Sequence, residues 1–141
     1  MVVLDTDHVS LLERASSQEY QRLRARLDQV PPHERVTTII TYEEQTRGRL
    51  AYLSRARTIA RQVEAYRRLR RHIELYRDIL VLDFDDRAAG EYQRLQALRL
   101  RVGTLDLRIA AIVLARGAWL LTRNLADFRR VPGLNVEDWT I

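Results

Sequence analysis

Residues 103–117 read Gly-Thr-Leu-Asp-Leu-Arg-Ile-Ala-Ala-Ile-Val-Leu-Ala-Arg-Gly, and from Leu105 to Ala115 the stretch is apolar on nearly every face of a helix. A helix that is apolar all round is a buried one. The stretch therefore predicts a central helix, ended by Gly117, around which other elements pack. One acid, Asp106, falls in its first turn, where the helix dipole favours an anion. Burying an acid there is costly without a partner, so Asp106 reads as a functional residue, with Arg108 the candidate to pair with it.

The flanking sequence alternates between strand and helix patterns. Toward the N-terminus, Asp85 to Arg101 reads as a helix with Tyr92, Leu95 and Leu98 inward and Gly103 as its stop, and Ile79 to Leu82 as a short strand. From Leu50 to Tyr76, apolar residues recur at Leu50, Leu53, Ala56, Ala60, Val63, Tyr66, Leu69, Ile73 and Tyr76, the stripe of one long helix or of two with a kink. Val36 to Ile40 is a β-branched strand; a polar helix over 18–29 precedes it, broken by Pro31 and Pro32. Val2 to Leu4 is a strand running through Asp5, Thr6 and Asp7 into a helix, with Asp7 the better cap candidate. Beyond Gly117, Trp119 to Thr122 reads as a strand, Asn124 to Arg130 as a short helix, and the region near Val136 as a last strand. Such alternation predicts an α/β fold with a mainly parallel sheet.

Composition narrows the chemistry. The 141 residues, 46% hydrophobic, suit one domain spanning 1–141. With no cysteine, thiolate nucleophiles, cysteine-type zinc sites and disulfides are excluded. The 24 basic residues are all arginine, which removes Schiff-base lysines and the lysine of Walker-type loops while suiting recognition of phosphate. The net charge of +5 points toward nucleic acid. No run approaches the roughly 18 apolar residues of a membrane span, and the Met-Val-Val-Leu-Asp start lacks a signal-peptide pattern, so a soluble, cytoplasmic protein is expected.

In open α/β sheets ligands bind beyond the carboxyl ends of the strands. Asp5 follows the first strand, Glu44 the second and Asp127 the fourth, and Asp106 joins them from the buried helix. Carboxylates brought together repel unless a cation neutralises them. With oxygen ligands alone, Mg²⁺ or Mn²⁺ is favoured, and such a site performs phosphoryl chemistry on one or two ions. The plain alternatives are helix caps and dipole charges: Asp5 to Asp7 as a turn, one of Glu43 and Glu44 as a first-turn charge, Asp127 as a surface cap.

Four motifs in order, Leu4-Asp5-Thr6-Asp7, Thr41-Tyr42-Glu43-Glu44 with Gly48, Gly103 through Ala111, and Leu121 through Phe128, resemble the PIN-domain ribonucleases, specifically VapC-type toxins of bacterial toxin–antitoxin pairs. The likeness covers nearly the whole chain, to Trp139. It implies a PIN-like three-layer sandwich with four to five short strands, and a Mg²⁺-dependent endonuclease whose acids map onto Asp5, Glu44 and Asp106. Glu44 is chosen over Glu43 by its spacing from Thr41 and Gly48. The fourth acid varies in the family; Asp127 is preferred to Asn124, with Asn124 and Thr122 supporting through water. Asp7 stands where the family usually has Asn. The resemblance further implies an RNA substrate such as tRNA, a VapB-like antitoxin that blocks the acids, and a homodimer.

Two other readings stay open on the residues. Asp5-Thr6-Asp7 after a strand also fits the aspartyl nucleophile of a haloacid-dehalogenase-like phosphatase, against which stands the missing lysine. A basic RNA- or antitoxin-binding module with silent acids is the non-enzymatic reading. Ten arginines and only Glu64 and Glu74 lie from Arg47 through Arg77, either a rail for an RNA backbone, an antitoxin groove, or a solvated helix face.

Overall fold

The computed structural model describes residues 1–141. Five strands, β1 (Val2–Leu4), β2 (Arg35–Thr38), β3 (Leu80–Leu82), β4 (Trp119–Leu121) and β5 (Asn135–Glu137), form one sheet in the order β3-β2-β1-β4-β5. Every pairing is parallel, with Val3 opposite Val36 on one side and Leu120 on the other. Seven helices surround it: α1 (Thr6–Leu12), α2 (Gln18–Leu27), α3 (Ile39–Arg55), α4 (Ile59–Asp78), α5 (Asp86–Ala97), α6 (Thr104–Arg116) and α7 (Leu125–Phe128).

The alternation of side chains along β1 builds the layers. Val3 enters a core with Leu95 of α5 and Leu107, Ile109, Ala110 and Ile112 of α6. Val2 and Leu4 point the other way, onto Val9, Leu23 and Leu27 of α1 and α2. Both faces of the central strand are therefore covered, as parallel sheets require. Burying Leu23 and Leu27 completely contributes about 1.5–3 kcal/mol each. The expected α/β three-layer arrangement and the buried α6 are both observed.

Several boundaries differ from the sequence reading. β2 stops at Thr38, whose hydroxyl accepts from the Thr41 N–H and caps α3, so Ile39 and Ile40 are helical despite their β-branching. The stretch from Leu50 to Tyr76 is divided between α3 and α4, with Thr58 capping the second. α5 ends at Ala97, which leaves Leu98 exposed instead of inward. The stripe on α4 faces outward as well: Val63, Tyr66 and Ile73 are exposed, and α4 docks through Ala65 and His72. No helix is long and apolar enough to cross a membrane.

Candidate active site

The strand order turns at β1, which has β2 on one side and β4 on the other, and the crevice beyond the carboxyl ends of such strands is where open α/β sheets bind ligands. Asp5 emerges there directly from β1, only 6% exposed. Its N–H donates to the Leu121 carbonyl (2.9 Å), its Oδ1 accepts from the Thr6 N–H (2.8 Å), and its Oδ2 accepts from the Thr122 hydroxyl (2.8 Å). Asp5, not Asp7, is thus the cap of α1. Thr122, expected to act through water, touches Asp5 directly.

Asp7 is held two residues on, in the first turn of α1. Its Oδ1 lies 2.7 Å from His8 Nδ1, and its Oδ2 accepts from the Arg123 N–H at 3.0 Å. His8 is fully buried, and its Nε2 accepts from the Trp139 N–H at 3.2 Å, which assigns the ring proton to Nδ1 and the donation to Asp7. His8 was missed in the sequence, where its only signal is a histidine directly after Asp7 at the start of an apolar helix.

Glu44 lies on the second turn of α3, too far along to serve as a first-turn dipole charge. Glu43 turns outward to Arg47, while Glu44 turns inward, where its Oε1 and the nearby Thr6 Oγ1 are buried without a hydrogen-bond partner. Asp106 occupies the first turn of α6 as expected. Its partner is not Arg108, whose guanidinium lies over the Tyr92 ring at 5.4 Å. Instead, Asn124 Nδ2 sits 3.4 Å from Asp106 Oδ2 and 3.0 Å from Asp127 Oδ2, one amide between two carboxylates. Asp127 lies within α7 and pairs with Arg130 at 3.3 Å, so both candidates for the fourth position stand beside Asp106.

The three principal acids hold their protons more tightly than usual. Burial, then the charge of Asp7, pushes Asp5 up to about 7. Burial and the charge of Asp106 raise Glu44, where the Thr6 hydroxyl offsets part of the rise without making a well-formed hydrogen bond. Burial, then the charges of Asp127 and Asp7, raises Asp106. Acids from β1, α3 and α6 therefore feel one another's charge across the crevice. As the side chains stand, no three of them grip a common point.

A divalent cation suits this group chemically. The donors are all oxygen, Glu44 Oε1 is buried with nothing to accept from, and the mutual repulsion is of the kind a cation relieves. Asp5, Glu44 and Asp106 are the residues able to hold it, with Asn124 and Asp127 at the rim.

Comparison with known proteins gives a consistent picture. The PIN domain family matches residues 2–134. A tRNA(fMet)-specific endonuclease VapC of Salmonella typhimurium is 40% identical over 63 residues, 42% of this chain and 48% of that protein. A ribonuclease VapC2 of Rickettsia felis is 33% identical over 63 residues, 42% and 47% of the two. The match thus spans about half the length of these curated relatives. The DNA-bound VapBC structure from Salmonella typhimurium superposes with a TM-score of 0.75 at 26% identity, covering 98% of this chain and 97% of that one. VapBC-1 from nontypeable Haemophilus influenzae gives a TM-score of 0.78 at 24% identity, with both chains covered completely.

Proposed function

This chain belongs to the PIN domain family, and on that premise we propose that it is a metal-dependent endoribonuclease, the VapC-type toxin of a toxin–antitoxin pair. The observation that carries the reading is the convergence of Asp5, Glu44 and Asp106 from three separate elements, each driven toward its protonated form by burial and by acidic neighbours. Such a cluster is stable as anions only when neutralised. Mg²⁺, or Mn²⁺ in its place, would be held by these three acids, with Asp127 as the fourth site acid. When bound, it supplies an activated water and charge neutralisation at a scissile phosphodiester.

The chain's own residues prepare that site. The Thr122 hydroxyl fixes the rotamer of Asp5. Asn124 holds Asp106 and Asp127 at a set separation with one amide. Asp7, braced by His8 and the Arg123 N–H, adds negative potential that strengthens attraction for a cation. The names of the similar proteins support RNA, with tRNA the first class to test. The VapBC structures support a VapB-like antitoxin as partner, and the exposed apolar face of α4 is surface that such a partner or a second copy would cover. Asp5, nearly buried with both oxygens engaged, is poorly placed as a nucleophile, and the phosphatase reading gains nothing from the geometry.

The test is Asp106→Asn in antitoxin-free protein. Metal-dependent cleavage should fall by two or more orders of magnitude with a urea midpoint no lower than that of the wild type, since the lost charge is one that burial and acidic neighbours oppose; undiminished cleavage refutes the assignment.

A further inference from the structure

A cleft of about 550 Å³ opens between the end of α1, the middle of α3 and the outer half of α4. It lies along the same face of α3 that carries Glu44. Gly48 lines it one turn from that acid, and Tyr52 and Arg55 continue it. At 1.5 Å per residue, the path from Glu44 to Arg55 runs about 16 Å. Tyr52 and Arg55 also line an adjoining depression with Ala56 and Arg61, so the groove continues past the end of α3. Ser10, on the opposite wall, accepts from the Gln45 side-chain amide at 3.2 Å, which ties the wall to the residue beside Glu44.

The groove is strongly basic. Arg49 is held by Glu13, and Glu64 is shared by Arg68 and Arg71. Arg14 just beyond the end of α1, Arg55 from α3 and Arg61 from α4 have no acid within ion-pairing distance and are exposed. Six guanidiniums thus face two carboxylates. The floor at Gly48 is open, a Cβ there meeting nothing within 4 Å, and Arg68 lies over the Tyr52 ring at 4.0 Å. The lining is almost wholly polar, while the apolar face of α4, with Val63, Tyr66 and Ile73, lines a separate depression with Arg67 and Arg70. Polar and basic, and beginning one helical turn along α3 from Glu44, the groove matches a phosphodiester backbone better than an amphipathic protein segment.

We propose that this groove is the binding track for the single-stranded RNA backbone flanking the scissile bond, with Arg14, Arg55 and Arg61 as its free phosphate ligands. The proposal rests on the ribonuclease reading for the identity of the strand, and it can be tested apart from cleavage. Phosphate contacts give affinity and register without sequence choice, so the track positions RNA over Glu44 while sequence is read elsewhere.

The experiment measures binding of a short fluorescein-labelled single-stranded RNA of mixed sequence by the full chain in EDTA, across a salt series. The variants are Arg14→Gln/Arg55→Gln and the control Arg70→Gln/Arg116→Gln, which removes the same charge elsewhere. Each lost contact to a single strand lowers the salt slope by about 0.7, so the groove variant should lose about 1.4 in slope and about tenfold in affinity near physiological salt. The control should keep the wild-type slope. With Mg²⁺, the groove variant should show a raised KM and a near wild-type kcat. Unchanged slope and affinity in the groove variant, or no RNA binding by the wild type, overturns the track, as does an equal loss in the control variant. If the wild type binds RNA through the groove but never cuts it, the track stands and the nuclease reading falls.

Discussion

Replacing Asp5 with asparagine should make the metal-free protein more stable, and by an amount that depends on pH. The folded carboxyl ionises near 7, against 3.8 in the unfolded chain. Below 3.8 the group is protonated in both states and contributes nothing. Between 3.8 and 7 the unfolded chain releases the proton while the folded one keeps it, so wild-type stability falls by about 1.4 kcal/mol per pH unit. Above 7 both forms are ionised and the full cost, about 4 kcal/mol, is in place. Asparagine cannot ionise, yet its Oδ1 still accepts from the Thr6 N–H and its amide can donate to Thr122 Oγ1. Urea unfolding of both proteins in EDTA should therefore show a gap in favour of Asp5→Asn that widens by about 2–3 kcal/mol from pH 5 to pH 8. Added Mg²⁺ should then stabilise the wild type and leave the variant unmoved. A gap that stays constant with pH, or a variant less stable than wild type at pH 8, refutes the reasoning.

Three further outcomes follow from individual contacts. Glu44→Gln should abolish RNA cleavage while Glu43→Gln, which breaks only an exposed pair with Arg47, keeps wild-type rates; an active Glu44→Gln beside an inactive Glu43→Gln would mean the wrong glutamate is assigned to the site. His8→Leu should lower stability by about 2–3 kcal/mol in urea melts, because the Trp139 N–H and Asp7 both lose a buried partner. Gly48→Ala should raise stability by about 0.5–1 kcal/mol, since the position is inside α3 and a Cβ there meets nothing.

The parts of this protein legible in its sequence are those fixed by local chemistry. The all-round apolar face of α6 announced a buried helix. The preference for Glu44 over Glu43 came instead from the resemblance to the PIN-domain pattern, and the structure pairs Glu43 with Arg47 on the outside. What was misread depended on neighbours distant in sequence. Ile39 and Ile40 carry strand propensity, but the Thr38 hydroxyl caps the helix there and wins. The stripe on α4 has core periodicity, yet α4 docks by Ala65 and His72 and leaves that stripe outside. Asp7 reads as the better cap in isolation; the hydrogen bonds of β1 to β4, and the Asp7 contacts to His8 and Arg123, give the cap to Asp5 instead. Arg108 is close to Asp106 in sequence, but the Tyr92 ring draws it away and Asn124, from beyond β4, takes its place. Arg14 enters the basic groove from just past the end of α1, outside the arginine-rich segment that suggested an RNA rail.

The most direct test of the central claim is incubation of total bacterial RNA with purified, antitoxin-free protein in Mg²⁺ and in EDTA, with cut ends mapped to single nucleotides. Discrete cuts that appear only with the metal, carry 5′-phosphates and vanish in Asp106→Asn are the predicted result. Folded protein that leaves RNA intact in Mg²⁺, or cuts it equally well in EDTA, contradicts the account.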